Sequence, residues 1–273
     1  MAFSMAWPQD AVQGGPGEER ACGMLAGFRG ELYRCLGKRR DALFELADAV
    51  LCKQDRVHML AELSLEPECR RGHGAVYDAV NAGQVRIARL RRALAALPLP
   101  RWDDGRIRLA ADVSNWLRPG AATSPGRLFC HCYARGKGNA QMIPGWPYSV
   151  VAALEPGRTS WTAVLDALRL GPDDDEAEVT ACQVREVVTR LIAAGHWRDG
   201  DRPILVIFDA GYDPMRLAHQ LADLRRGHLG GVIGRAGPDR VQRQRPGGTA
   251  GSSAAMTEYG QPGISCALPL PRA

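Results

Sequence analysis

The stretch Pro203-Ile-Leu-Val-Ile-Phe-Asp-Ala-Gly-Tyr-Asp-Pro214 combines the patterns of a strand, a turn and a helix start. Residues 203–208 are apolar throughout, which predicts a strand that is buried on both faces. Asp213 is a residue type preferred at a helix N-cap, and Pro214 is a type preferred at the first helical position. A buried strand that is followed at once by a helix is typical of an α/β domain.

The segments around this stretch alternate between predicted strands and helices. Strand patterns cover residues 106–112, 127–133, 148–154 and 231–234, and helical patterns cover residues 159–170 and 176–196. The first strand is expected to end at Asp112, where the chain turns at Ser114-Asn115. The fold class is therefore α/β, with three early strands that can form an antiparallel meander and later strands that join through helices.

The rest of the chain lacks the alternation of strand and helix patterns that this α/β segment shows. An unpatterned start with Gly and Pro predicts a frayed terminus, and helical periodicity follows up to Pro98-Leu-Pro100, which marks a boundary. Helices are expected over residues 41–51, 57–63 and 75–97, the last one interrupted near Asn81-Ala-Gly. The expected order is a disordered N-terminus over 1–20, a helical DNA-binding domain over 21–100, the α/β domain over 101–241 and an irregular tail over 242–273.

The charge balance is compatible with nucleic acid but does not establish it. The net charge is +5 and the pI is about 8.9. Among 35 basic residues only Lys38, Lys53 and Lys137 are lysines, and arginine binds phosphate well through its planar fork. A high-GC coding bias explains the same excess equally well. No apolar run reaches the length of a membrane span, and no secretory signal is visible, so we expect a cytoplasmic, nucleoid-associated protein without membrane contact.

Two carboxylates, Asp112 and Asp209, each lie at the end of a predicted apolar strand. Carboxylates at neighbouring strand ends can hold a pair of Mg²⁺ or Mn²⁺ ions about 3.5–4 Å apart, which activate a nucleophile and stabilise the leaving oxygen of a phosphodiester. The alternative is that each aspartate only caps a turn. The pattern of the residues leaves both interpretations open.

Several long strings resemble those of one protein family. They include Ala111-Asp-Val-Ser-Asn-Trp-Leu-Arg-Pro119 and Phe208-Asp-Ala-Gly-Tyr-Asp213, together with residues 39–52, 63–74, 141–149 and 157–161. These strings look like an actinobacterial group of insertion-sequence transposases in the DDE superfamily, whose catalytic core is ribonuclease-H-like. The resemblance extends from roughly Phe28 to Val241.

The resemblance implies a site and a reaction. Asp112 is expected to be the first metal-binding catalytic acid and Asp209 the second, with Mg²⁺ or Mn²⁺ as cofactor, cleavage at element ends and strand transfer into target DNA. The third acid of the family is a Glu on a late helix, and this sequence shows no counterpart, because Glu258 has a poor helix context. The family pattern also stops near Val241, so we expect a C-terminally truncated or frameshifted member.

Basic side chains in two regions are candidate DNA contacts. They are Arg70, Arg71, His73, Arg86, Arg89, Arg92, Arg135 and Lys137. The N-terminal ones can form a phosphate-contacting face or an ordinary solvated helix face, and the last two can belong to a plain hairpin turn. Trp146 and Trp161 can stack on bases, although burial in the core is the favoured interpretation for both.

Three functions follow as hypotheses. The first is a DDE transposase that acts on double-stranded DNA, both element ends and target, and that can form a homo-oligomer on DNA. The second is a catalytically inactive remnant that only binds DNA. The third is another two-metal nuclease or phosphatase.

Overall fold

The computed structural model describes residues 16–133, 140–157, 162–208, 212–225 and 228–234. The predicted tail over 242–273 and Glu258 lie outside these residues. The chain divides into two compact units, Met1–Pro98 and Leu99–Ala273, and each is described by itself.

The first unit is helical. Its helices are α1 Pro16–Cys35, α2 Arg40–Cys52, α3 Leu60–Leu63, α4 His73–Ala82 and α5 Ile87–Ala95. Helix α1 begins at Pro16, within the segment for which the sequence predicts disorder. The helix predicted over 75–97 is two helices, because the residues between α4 and α5 leave helical geometry and Val85 forms an antiparallel bridge with Leu36.

Packing and ion pairs hold these helices together. The Arg29 guanidinium donates two hydrogen bonds to the Asp48 carboxylate, which links α1 to α2. The Tyr33 and Phe44 rings meet edge to face with centroids 5.3 Å apart. Buried side chains from several helices form the core of this unit: Cys35, Leu36, Ala49, Leu63, Val76, Ala79 and Ala95.

The second unit is built on a six-stranded mixed sheet. Its elements are β1 Arg108–Leu117, β2 Leu128–Tyr133, β3 Ala140–Leu154, β4 Thr162–Arg169, α6 Glu176–Ala193, β5 Ile204–Phe208, α7 Pro214–Gln220, α8 Ala222–Arg225 and β6 Leu229–Gly234. The strand order is β2-β3-β1-β5-β6, with β4 also paired to β3. Strand β3 is antiparallel to β1, β2 and β4, whereas β5 is parallel to both β1 and β6.

Strands β1 and β3 are longer than the sequence predicts. The expected turn at Ser114-Asn115 is wrong, because β1 stays paired with β3 as far as Leu117 and Gly145. Strand β3 contains Pro144 and Pro147, whose carbonyl oxygens accept hydrogen bonds from the N–H groups of Arg118 and Leu170. A Cβ on Gly145 would lie 2.7 Å from the Trp116 carbonyl oxygen, so this close approach requires glycine.

Strand β4 replaces the helix predicted over residues 159–170. Its sequence is rich in Ala and Leu, which favour helices, yet it pairs antiparallel with β3. The register shifts beside Val151, and Leu165 and Asp166 are buried consecutively. This irregularity removes the strict alternation by which a strand is recognised in a sequence.

One face of the sheet is covered by helix α6, and the opposite face is more exposed to solvent. Helix α6 packs against the face that carries Ala111, Ser149 and Val151, and these residues are at most 1% exposed. Strand β5 alternates between buried and half-buried residues, so the prediction that it is buried on both faces is wrong for the part of the chain that the structure describes. The opposite face therefore presents β1 side chains such as Asp112 to solvent.

Local signals that the sequence carries around β5 are confirmed. The Asp213 carboxylate caps α7 by accepting hydrogen bonds from the N–H groups of Met215 and Arg216, and Pro214 is the first helical residue. Strand β6 includes the predicted 231–234 segment. None of the helices among the described residues is long and apolar enough to cross a membrane.

Candidate catalytic site

Asp112 lies in the interior of β1, a central strand of the sheet. Its partner across β3 is Val150. The side chain is exposed, and its Oδ1 atom accepts a 2.7 Å hydrogen bond from the Val113 N–H. This bond orients the Asp112 carboxylate through one of its two oxygens.

The parallel ladder between β1 and β5 ends beside the two predicted catalytic acids. Its last register pair joins Ala111 to Phe208, and these residues directly precede Asp112 and Asp209 in the sequence. Asp209 itself lies outside the described residues, so the distance between the two carboxylates stays a prediction.

A buried polar network lies between α6, β3 and the residue that precedes the α7 cap. The Tyr212 hydroxyl is 3.3 Å from the Thr180 hydroxyl, which is 3.3 Å from the Ser149 hydroxyl. Ser149 donates a 2.7 Å hydrogen bond to Gln183, and the Gln183 amide donates back to the Ser149 carbonyl. These four side chains are at most 8% exposed, so each polar group relies on the others for hydrogen bonding.

The charge of Asp112 acts on this network. Burial raises the pKa of Tyr212 to about 12, and the negative charges of Glu176 and Asp112 add to the rise, whereas hydrogen bonds with Thr180 and Ser149 oppose it. The phenol is therefore protonated at neutral pH and remains a hydrogen-bond donor. Asp112, Glu176 and Tyr212 thus belong to one electrostatic neighbourhood at the carboxyl end of β5.

Sequence reasoning missed this network, although a signal was present. Thr180 and Gln183 are three residues apart on α6 and share a buried face with Val184 and Val187. Polar residues at helical core spacing indicate a satisfied buried network. Ser149 gives a similar signal, because it precedes five apolar strand residues, 150–154.

A second contact joins the starts of α6 and α7. Asp175 caps α6 by accepting from the N–H groups of Ala177 and Glu178, and Arg216 donates a 2.8 Å hydrogen bond to its other oxygen. Burial raises the pKa of Asp175, but the bonds from Arg216 and the helix backbone outweigh it and the net pKa is lowered. The acidic segment over 173–175 thus includes a structural cap.

The described part of the chain supplies a candidate metal ligand, Asp112. Within the described ranges, no group of three or more His, Cys, Asp or Glu side chains is arranged to hold a metal ion. Asp112 supplies one hard oxygen ligand, of the kind that Mg²⁺ prefers. The chemistry of this donor fits the expected ion.

The predicted DNA contacts of the first unit fall into two groups. Arg71 pairs with Glu45 at 3.3 Å and Arg89 with Glu31 at 2.6 Å, so their charges are partly neutralised. The others are exposed and form no ion pair with a described carboxylate: Arg70, His73, Arg86 and Arg92. Arg135 and Lys137 lie outside the described residues.

The topology of the second unit defines its class. An antiparallel β1–β3–β4 arrangement, a crossover helix α6 and a parallel strand β5 beside β1 are a ribonuclease-H-like α/β core.

Comparison with known proteins identifies the family. Residues 31–245 match the model described as DDE superfamily endonuclease. The chain belongs to this family, which confirms the DDE membership predicted from the sequence strings.

Other comparisons are more distant. The structure titled Drosophila P element transposase strand transfer complex is similar with 12% identity and a TM-score of 0.21, over 65% of this chain and 39% of that chain. This chain therefore spans well under half the length of that relative. A search among curated proteins finds no match.

Proposed function

We propose that this protein is a DNA transposase of the DDE type, which cleaves element ends and transfers the exposed 3′ hydroxyl into target DNA. The observation that carries the proposal is the position of Asp112 on the central strand, one residue beyond the last β1–β5 register pair. Membership of the DDE endonuclease family supports the same reaction class. Double-stranded DNA is the proposed partner, in the cytoplasm at the nucleoid.

Asp112 and Asp209 are the proposed metal-binding acids. Bonded residues have Cα atoms about 3.8 Å apart, and paired strands lie about 4.8 Å apart. Because Ala111 and Phe208 are paired, these lengths limit the Cα separation of the two aspartates to about 12 Å. Carboxylates on Cα atoms this close can both reach ions that are about 3.5–4 Å apart.

Residues of this chain would bind the metal ions and orient the groups that bind them. Asp112 and Asp209 would hold Mg²⁺ or Mn²⁺, and the bound ions supply activation of the attacking oxygen and stabilisation of the leaving one. The hydrogen bond from the Val113 N–H orients Asp112. The Tyr212 network joins the residue before the α7 cap, three positions after Asp209 in the sequence, to α6 and β3.

The test is metal-dependent nicking of supercoiled plasmid DNA by the full chain. We expect Asp112→Asn and Asp209→Asn each to lower nicking by about 100-fold or more, since even outer-sphere changes at metal sites cost about 10–100-fold. Asp199→Asn is the matched control, because Asp199 is an exposed carboxylate in the loop before β5. Calorimetric titration with Mn²⁺ should show weakened binding in the first two variants alone.

Each contrary outcome has a defined meaning. Nicking by Asp112→Asn at the rate of the control would refute the assignment of the site. DNA binding without metal-dependent nicking in the unaltered chain would contradict the proposal and support a DNA-binding remnant. Hydrolysis of a phosphomonoester without action on DNA would support the phosphatase alternative.

A further inference from the structure

An aromatic pocket of about 570 Å³ opens at the end of β1 in the second unit. Its walls are Trp116, Arg118, Trp146, Tyr148, Arg169 and the turn over residues 119–121. Trp146 was expected in the core, but its side chain is only half-buried, and Trp116 is 50% exposed. Pockets of roughly 300–1,000 Å³ are of the size that binds small organic groups.

The β-sheet register brings these rings together. Trp116 is paired with Trp146 across β1 and β3, and Tyr148 is paired with Arg169 across β3 and β4. The Trp116 ring centroid lies 6.0 Å from that of Trp146 and 6.4 Å from that of Tyr148. Because cross-strand partners project from the same face of a sheet, the three rings form one continuous aromatic surface.

Two guanidinium groups give the pocket a positive charge. Arg118 lies over the Trp116 ring at 4.7 Å, and Arg169 lies over the Trp146 ring at 5.6 Å. The Arg169 side chain also donates a 2.7 Å hydrogen bond to the Gly126 carbonyl, which fixes its position. No acidic side chain lines the pocket, and neither arginine forms an ion pair with a carboxylate of the described ranges.

Aromatic faces beside unpaired arginines suit a ligand that combines a flat ring with an anion. Nucleotides have this combination, since bases stack on aromatic side chains and phosphates bind arginine. A base within a duplex is covered on both faces by its neighbours, so a base that has left the stack is the one able to bind here. We infer that this pocket binds an unpaired nucleotide of the DNA substrate, with the base on Trp116 and the phosphate at Arg118 and Arg169.

The inference rests on the proposed function and adds a subsite to it. Asp112, Ser114 and Trp116 are alternate residues of β1 and so lie on one face of the sheet. Asp112 and Trp116 are four residues apart, which is about 13 Å along a strand at about 3.3 Å per residue. That length corresponds to about four steps of roughly 3.4 Å along a DNA strand. The bound base would therefore be a few nucleotides from the scissile phosphate.

The test uses fluorescence anisotropy of a labelled 20-nucleotide single strand with the full chain. Because the base would stack on the Trp116 ring, we expect Trp116→Ala to weaken binding of the single strand by about 5-fold to 100-fold. Trp116→Phe should keep most of the affinity. Phe129→Ala is the matched control, because Phe129 is 49% exposed and has Arg127 over its ring at 5.3 Å, yet lies outside the pocket. The control should bind as the unaltered chain does.

A second measurement stays informative if Trp116→Ala fails to fold. Arg118→Ala and Arg169→Ala alter exposed side chains and should each lower the slope of log affinity against log salt by about 0.7, the value for one single-strand phosphate contact. An unchanged slope in both variants would overturn the inference. Equal losses in Trp116→Ala and Phe129→Ala would also overturn it, since any exposed arginine–aromatic pair would then suffice.

Binding and nicking of duplex DNA distinguish a failure of the pocket inference from a failure of the proposed function. If Trp116→Ala leaves single-strand binding unchanged while the chain still binds and nicks plasmid DNA, the pocket assignment is wrong and the proposed function stands. If the unaltered chain binds neither single-stranded nor duplex DNA, both are wrong. The inference is supported when single-strand affinity falls, duplex affinity holds and the melting temperature of the variant is unchanged.

Discussion

Arg190 on α6 pairs with two carboxylates of very different burial, and removing each in turn tests how α6 is attached to the sheet. Asp166 on β4 lies 2.7 Å from the guanidinium, and its side chain is 1% exposed. Glu186 lies one helical turn away at 3.4 Å and is 46% exposed. The variants Asp166→Ala and Glu186→Ala therefore remove a buried and an exposed partner of the same arginine.

The expected costs follow from burial. Removing one partner of a buried ion pair costs about 3–5 kcal/mol, because the other charge stays in a poorly solvated place. Arg190 is itself 16% exposed and keeps Glu186, so Asp166→Ala should cost about 3 kcal/mol, near the lower end of that range. An exposed helix pair is worth about 0.3–0.5 kcal/mol, which sets the expectation for Glu186→Ala.

Urea unfolding followed by tryptophan fluorescence measures the difference. With a slope of about 1–3 kcal/mol per molar urea, the midpoint of Asp166→Ala should fall about 0.9–2.6 M below that of Glu186→Ala with the slope unchanged. Asp166→Asn keeps a hydrogen-bond acceptor and should lie between them. Midpoints that agree within about 0.3 M would refute the reasoning, and with it the packing of α6 on β4.

Two further predictions concern protonation and DNA binding. Burial raises the folded-state pKa of Tyr212 from 10 to about 12. The contribution of the protonated phenol to stability is therefore complete below pH 10 and is lost as pH rises towards 12. Tyr212→Phe should remove that part of the fall in urea midpoint at alkaline pH, and the same fall in the variant and the unaltered chain would contradict this prediction. For duplex DNA, Arg86→Ala and Arg92→Ala should each lower the salt slope by about 0.9, whereas Arg89→Ala should lower it less because Glu31 neutralises it. Salt-independent affinity of the unaltered chain would contradict an arginine face.

Structural features that depend on neighbouring residues could be predicted from the sequence. The Asp213-Pro214 helix start depends on hydrogen bonds within three residues of the cap, so residue types alone predict it. The apolar run before Asp209 likewise predicts β5. Such features need no partner from elsewhere in the chain, and the family strings around Asp112 then supplied its expected role.

Structural features that depend on residues distant in the sequence could not be predicted from the sequence. Strand β4 has the composition of a helix, and only its pairing with β3 decides its conformation. The extension of β1 beyond Asp112 depends on Gly145, more than thirty positions away in the sequence. The Tyr212 network joins residues from β3, α6 and the segment before α7, so its members are visible as a group only in three dimensions.

Strand β3 has two successive neighbours along one edge. Residues 140–145 pair with β2 and residues 148–154 pair with β4, while the opposite edge of β3 is occupied by β1. Strand β2 therefore pairs with a part of β3 that does not include Val150, the partner of Asp112, and we expect a shortened β2 to leave the pairing of Asp112 unchanged. Trp146 lies between the β3 residues that pair with β2 and those that pair with β4, so the pocket that includes Trp146 adjoins a part of the sheet whose strand neighbours change.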